Sequence, residues 1–188
     1  MLLLHGMAAA GNSFGAGFDR LGDSARVVVP DLLGFGDSML PPGAVSGEDH
    51  LDALDAMLAT LGLCDAPLVV VGHSMGGPLA LRFAARHRDR VRAVVTLCAA
   101  LYRDSGEARS RVALMGPVEA VLAGDGRLPE VLCAWMCRHR ITAGWVAVAM
   151  LPDLPVPVAR SAVKHTWDSY RGALDGLLRV LDWEPALY

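Results

Sequence analysis

Charge is sparse in this chain and has no dominant sign. Only 20% of the 188 residues are charged, the formal net charge is −3, and the 17 lysines and arginines are scattered without a run of five or more. That leaves no electrostatic footprint for a phosphate backbone, so no nucleic acid partner is expected. Long apolar runs are missing too. The charge-poor stretches 66–81 and 141–151 fall short of the ~18 clean apolar residues of a membrane span, so no membrane partner is expected. The opening residues 1–6 have neither the basic start nor the unbroken apolar core of a secretion signal, and a cytoplasmic location is the expectation. Four cysteines make no disulfide framework, and Cys64 and Cys98 lie in apolar sequence where Cys acts as a small hydrophobe. Cys133 and Cys137 are four apart, close enough to share a helix face, with His139 two further on. Zinc sites favour four ligands at tighter, paired spacing, so no metal is expected. A glycine-rich dinucleotide fingerprint and a phosphate loop with its lysine are also missing, and no cofactor is expected.

Apolar residues are plentiful at 53%, enough for one packed domain. Residues 26–31 and 67–72 are short, β-branched, uninterrupted runs, and 91–97 is a third, diluted by Arg92. Such runs suit strands of a parallel sheet covered on both faces. Leu51, Leu54, Leu58 and Leu61 recur at helical spacing, with Ser46 and Asp49 placed as a cap and Gly62 as a stop. The pattern is βαβαβ. Beyond Leu97 it becomes helical: 102–123, 128–138 and 142–150 are predicted helices, and Pro152, Pro155 and Pro157 then break the chain. A last helix is predicted over 167–180, with Tyr170, Ala173, Leu174, Leu177, Leu178 and Leu181 on one stripe. The predicted division is an α/β core over 1–101, a helical cap over 102–182, and the start of further core at 183–188.

Gly72-His73-Ser74-Met75-Gly76 is a G-x-S-x-G pentapeptide between the strongest predicted strand and a helix running to about His87. A sharp strand-to-helix turn there projects a serine above the sheet edge, and glycines two places either side let strand and helix approach. The helix N-terminus aims free N–H groups at the same place, which suits a developing oxyanion. Alone the pattern arises by chance. It is joined here by a strand ending in His5-Gly6 and by Asp31-Leu32-Leu33-Gly34-Phe35-Gly36-Asp37-Ser38 after the next strand.

Together these motifs resemble the α/β-hydrolase superfamily, in particular its lid-bearing serine hydrolases, over residues 1–97. The resemblance implies a mostly parallel sheet flanked by helices with a helical cap. It implies Ser74 as nucleophile, and the backbone N–H groups of Met7 and Met75 as the oxyanion hole. His5, Gly6, Gly72, His73 and Gly76 would form the supporting turns. The loop 31–38 is implied to be structural, with no direct chemical role. A full member of the superfamily has further strands at both ends, and the last two deliver an acid and a general-base histidine. This chain is expected to be cut at both ends, with acid and base outside it, since His5, His50, His73, His87, His139 and His165 stand elsewhere than the family's base. Asp104 lies near a position where some relatives carry the acid, but several residues late, as an exposed turn aspartate would. The implied activity is hydrolysis of small carboxylic esters or related acyl compounds, with Trp135, Met136, Trp145, Met150 and Trp167 available to line a substrate pocket. The alternatives are a non-catalytic fragment, or perhydrolase, haloperoxidase-type or C–C bond hydrolase chemistry on the same elbow. The oligomeric state is left open. A sheet of four strand segments would expose apolar edges, so a poorly soluble or partly molten chain is expected.

Overall fold

The computed structural model describes residues 1–39, 45–114 and 116–178. Three strands, β1 (Leu2–Leu4), β2 (Leu68–His73) and β3 (Val91–Leu97), form a parallel sheet in the order β1-β2-β3. This is the α/β fold expected, with helices α1 (Gly47–Thr60) and α2 (Gly76–Arg86) between the strands. Helix α1 begins where the sequence places it. The Ser46 hydroxyl accepts from the Asp49 N–H at 3.1 Å and the Asp49 carboxylate accepts from the Ser46 N–H at 2.8 Å, a reciprocal cap. Leu51, Leu54 and Leu58 are buried, whereas Leu61, the fourth of that series, is exposed at the helix end. Arg86 of α2 pairs with Glu48, Asp52 and Asp55 and ties the two helices together.

Segment 26–31 is not the full strand expected. It touches β1 through a single bridge at Val28, where Val28 N–H donates to the Met1 carbonyl at 2.8 Å and Leu3 N–H to the Val28 carbonyl at 2.9 Å. The next donor in a parallel ladder would be residue 30, and Pro30 has no N–H, so the pairing stops. β3 also departs from expectation. Covered faces are expected, but all seven of its residues are exposed or partly so, with Val95 43% exposed.

The helical part follows as α3 (Ser105–Ala113), α4 (Pro117–Leu122), α5 (Arg127–Arg138), α6 (Arg140–Met150), α7 (Val156–Ser161) and α8 (Trp167–Ala173). The single helix expected over 102–123 is two, α3 and α4, because the backbone turns ahead of Pro117, which opens a new helix where a missing N–H costs nothing. Helix α7 was not expected. Pro155 and Pro157 stand at its cap and first turn, where proline initiates a helix as readily as it ends one. The last helix passes into a wider π turn at Leu174–Leu178, and the expected residues beyond it, including Leu181 and 183–188, lie outside the described residues. Tyr170, Ala173, Leu174, Leu177 and Leu178 are buried as the stripe predicts, in one cluster with Leu54, Leu79 and Phe83. This turn rests on the α/β layer: Arg82 of α2 donates to the Gly176 carbonyl at 2.8 Å.

Candidate active site

The chain leaves β2 at His73 and enters α2 at Gly76, so the whole reversal falls on Ser74 and Met75. Ser74 is held in the left-handed region with φ 51°, a conformation that costs a non-glycine residue ~1–3 kcal/mol and persists only where the surroundings enforce it. They do so through three backbone bonds. Ser74 N–H donates to the Leu97 carbonyl at 2.9 Å, and its carbonyl accepts from Gly77 at 2.9 Å and Ala100 at 3.1 Å. The glycines either side are required by space. A Cβ on Gly72 would run into the Gly76 backbone, and one on Gly76 into the Leu4 carbonyl, so strand, turn and helix meet with no room for a side chain.

The His5-Gly6 turn at the end of β1 lies against this elbow, since a Cβ on Gly6 would stand 3.1 Å from the Ser74 Cβ. His5 is fully buried. Its Nδ1 lies 2.7 Å from the Gly6 carbonyl and its Nε2 accepts from the Leu32 N–H at 2.8 Å, which makes it a neutral brace between the turn and the following loop. Burial pushes its proton affinity down, only partly offset by the Gly6 carbonyl and Asp31. Asp31 plays a similar part for the loop, accepting from Gly11 at 2.6 Å and from Asp37 at 2.7 Å. Ala8, just past Met7, and Cys98, just past β3, also have positive φ (50° and 48°), so among the described residues each strand of the sheet is followed closely by a strained non-glycine residue. Among the described residues no backbone carbonyl accepts from the N–H of Met7 or of Met75.

Above the elbow is a cavity of about 330 Å³ with a mainly apolar lining. Met7, Ala8 and Ser74 form its floor, and Trp135, Met136 and Met150 of α5 and α6 reach it from the other side. Two of the expected lining residues do not. Trp145 lies under the Arg160 guanidinium at 5.3 Å, and Trp167 stacks on Tyr170. His165 does line it, a residue sequence spacing gave no means of placing, because Phe35 of the 31–38 loop pairs with it in an antiparallel bridge.

No histidine among the described residues hydrogen-bonds the Ser74 hydroxyl. His73 is exposed beside the Gly6 turn, and His87 faces Asp55 at 2.7 Å on the far helices. His50 is buried in α1, where burial pulls its pKa down to about 4, and His139 is exposed beside Trp135. His165 is 1% exposed, and burial, with a smaller effect of Arg140, lowers its pKa to about 4 against the Ala162 carbonyl, which favours the protonated ring. Asp104 is the exposed N-cap of α3, accepting from Glu107 at 2.8 Å. Of metal-competent groups, Cys133, Cys137 and His165 converge, and His139, beside Trp135, is not one of the trio.

A strand-turn-helix elbow carrying a strained serine, on a parallel sheet flanked by helices, defines an α/β hydrolase fold. The family profile of that fold matches residues 1–119, and the chain belongs to the family. It is 39% identical over 99 residues to a 2-hydroxymuconate semialdehyde hydrolase of Pseudomonas putida, an alignment covering 51% of this chain and 34% of that protein. To Lipase LipV of Mycobacterium tuberculosis it is 35% identical over 111 residues, 58% of this chain and 41% of the lipase. Among solved structures, a thermophilic esterase of Thermogutta terrifontis superposes with a TM-score of 0.60 at 26% identity, over 93% of this chain and 63% of the esterase. The chain therefore spans between a third and two thirds of the length of these relatives. None of the described helices is long and apolar enough to cross a membrane.

Proposed function

We infer that this chain carries the nucleophile half of a serine hydrolase acting on small carboxylic esters or related acyl compounds. The observation that carries the reading is Ser74, strained at the floor of an apolar cavity and flanked by the uncommitted N–H groups of Met7 and Met75. In this reading the Ser74 hydroxyl attacks the acyl carbonyl and its oxygen takes on charge between those two N–H groups. The helices over 102–178 act as a cap whose aromatic and methionine side chains hold the acyl or alcohol portion.

A serine hydroxyl needs a base to take its proton. His165 shares the cavity but, with its affinity depressed to about 4, is a weak acceptor at neutral pH. His5 has both nitrogens engaged. The base and its orienting acid are therefore assigned to residues outside those described. The name of the Pseudomonas putida relative supports a second reading, C–C bond hydrolysis on the same serine.

The test is turnover of short acyl esters by the full-length gene product and by its Ser74→Ala variant. A loss of about 10⁴-fold or more is expected for a removed nucleophile, and unchanged turnover would end the assignment. Ser74-dependent cleavage of a diketone with no ester turnover would favour the second reading.

A further inference from the structure

The cap contains a cluster that the ester chemistry does not use. Sγ of Cys133, Sγ of Cys137 and a ring nitrogen of His165 all lie within 4.8 Å of one another, the only such trio among the described residues. The two sulfurs follow from a four-residue step along α5 and stand 3.8 Å apart. The imidazole comes from 28 residues further on, brought in by the pairing of the 163–166 segment with the 31–38 loop. We propose that Cys133, Cys137 and His165 form a binding site for a single thiophilic divalent cation of the Zn²⁺ class.

Distance, charge and an unmet need agree on this. Two thiolates on a tetrahedral zinc at ~2.3 Å are separated by about 3.8 Å, which is the spacing the metal-free sulfurs already have. Two thiolates and a neutral imidazole around a divalent ion sum to zero charge, the form that tolerates burial, and Cys133 and His165 are 0% and 1% exposed. The His165 ring makes no hydrogen bond of standard geometry through either nitrogen, a costly state for a buried polar group. One nitrogen on a cation would relieve it, with the Ala162 carbonyl beside the ring in the place of the outer partner that orients a metal-bound histidine.

Binding takes the protons from both thiols and releases them to solvent. Cys137, which now donates to the His165 carbonyl at 2.8 Å, gives up that bond. Three protein ligands leave a fourth position for water. The ion would staple α5 to the 163–166 segment, joining the wall of the Ser74 cavity to the loop that Asp31 organises.

Full-length gene product, reduced and titrated with Co²⁺, tests this. Expected are a sulfur-to-cobalt charge-transfer band and the strong visible bands of tetrahedral cobalt, saturating at one equivalent and erased by Zn²⁺. The bands persist in a Cys64→Ser, Cys98→Ser double variant. They vanish in Cys137→Ser, a near-isosteric change at a partly buried site whose folding is checked by circular dichroism, and weaken in His165→Asn. Zn²⁺ raises the melting temperature of the parent chain and not of Cys137→Ser. Absence of the bands in the parent chain, their survival in Cys137→Ser, or an unchanged spectrum in His165→Asn would each overturn the site.

Discussion

Ser74 is one of three described non-glycine residues held in a conformation their side chains disfavour. The left-handed conformation at φ 51° is open to glycine without penalty. Ser74→Gly is therefore expected to stabilise the fold by about 1 kcal/mol while removing all reaction with a fluorophosphonate probe, measured by urea melts and by labelling of the same preparation. His50 shows the opposite trade. It is 1% exposed, with neither ring nitrogen hydrogen-bonded, and faces His5, Asp49 and Arg82. Its pKa falls from 6.5 to about 4 on folding, chiefly through burial. The unfolded chain thus binds more protons between those values, and stability falls as pH drops through that window. From pH 7 to pH 5 this one group should cost about 2 kcal/mol. His50→Leu is expected to shrink the corresponding difference in urea midpoints, leaving the share that buried His165 and His5 contribute in the same direction, and an unchanged difference would remove His50 as a cause.

At the scale of the element, local chemistry decides starts and stops. The reciprocal Ser46 and Asp49 cap opens α1, and Ser46→Ala should cost about 1 kcal/mol, visible as a lower melting temperature with the Ser74 cavity unaffected. The end of α1 was legible for the same reason, since Gly62 takes φ 67° just past it. Proline was the ambiguous sign. Pro30 cut short an expected strand, Pro117 divided an expected helix, and Pro155 with Pro157 opened a helix where a break was expected. One residue type gives three outcomes because it only fixes φ and removes a donor. Whether that donor was needed depends on which neighbour lay opposite.

For the whole molecule, the outer side of β3 is the feature with the largest consequence. β3 pairs only with β2 among the described residues, and Val95 stands 43% exposed on it. An apolar strand with an unpaired edge is a template for association. The 188-residue chain is expected to bind a dye for apolar surface and to self-associate with concentration in sedimentation velocity, with Val95→Lys reducing both. A monomer at all concentrations without dye binding would show that this edge is protected. The same scale explains the cavity. Its floor comes from two turns at the ends of adjacent strands, and its walls from helices some 40 to 100 residues beyond Ser74 along the chain, so its shape depends on how those layers are stacked.

The sequence by itself determined the alternation of strands and helices, the capped α1, the apolar stripe of the last helix and the strand-turn-helix placement of Ser74. Each of these depends on neighbours a few residues apart, so periodicity, caps and close-packed glycines state them directly. Tertiary structure alone decided which tryptophans reach the cavity, that His5 is a brace, that β3 is left uncovered, and that His165 and not His139 joins Cys133 and Cys137. Those outcomes depend on contacts between segments far apart in the chain. No local pattern records them, because the partner becomes a neighbour only when the layers pack.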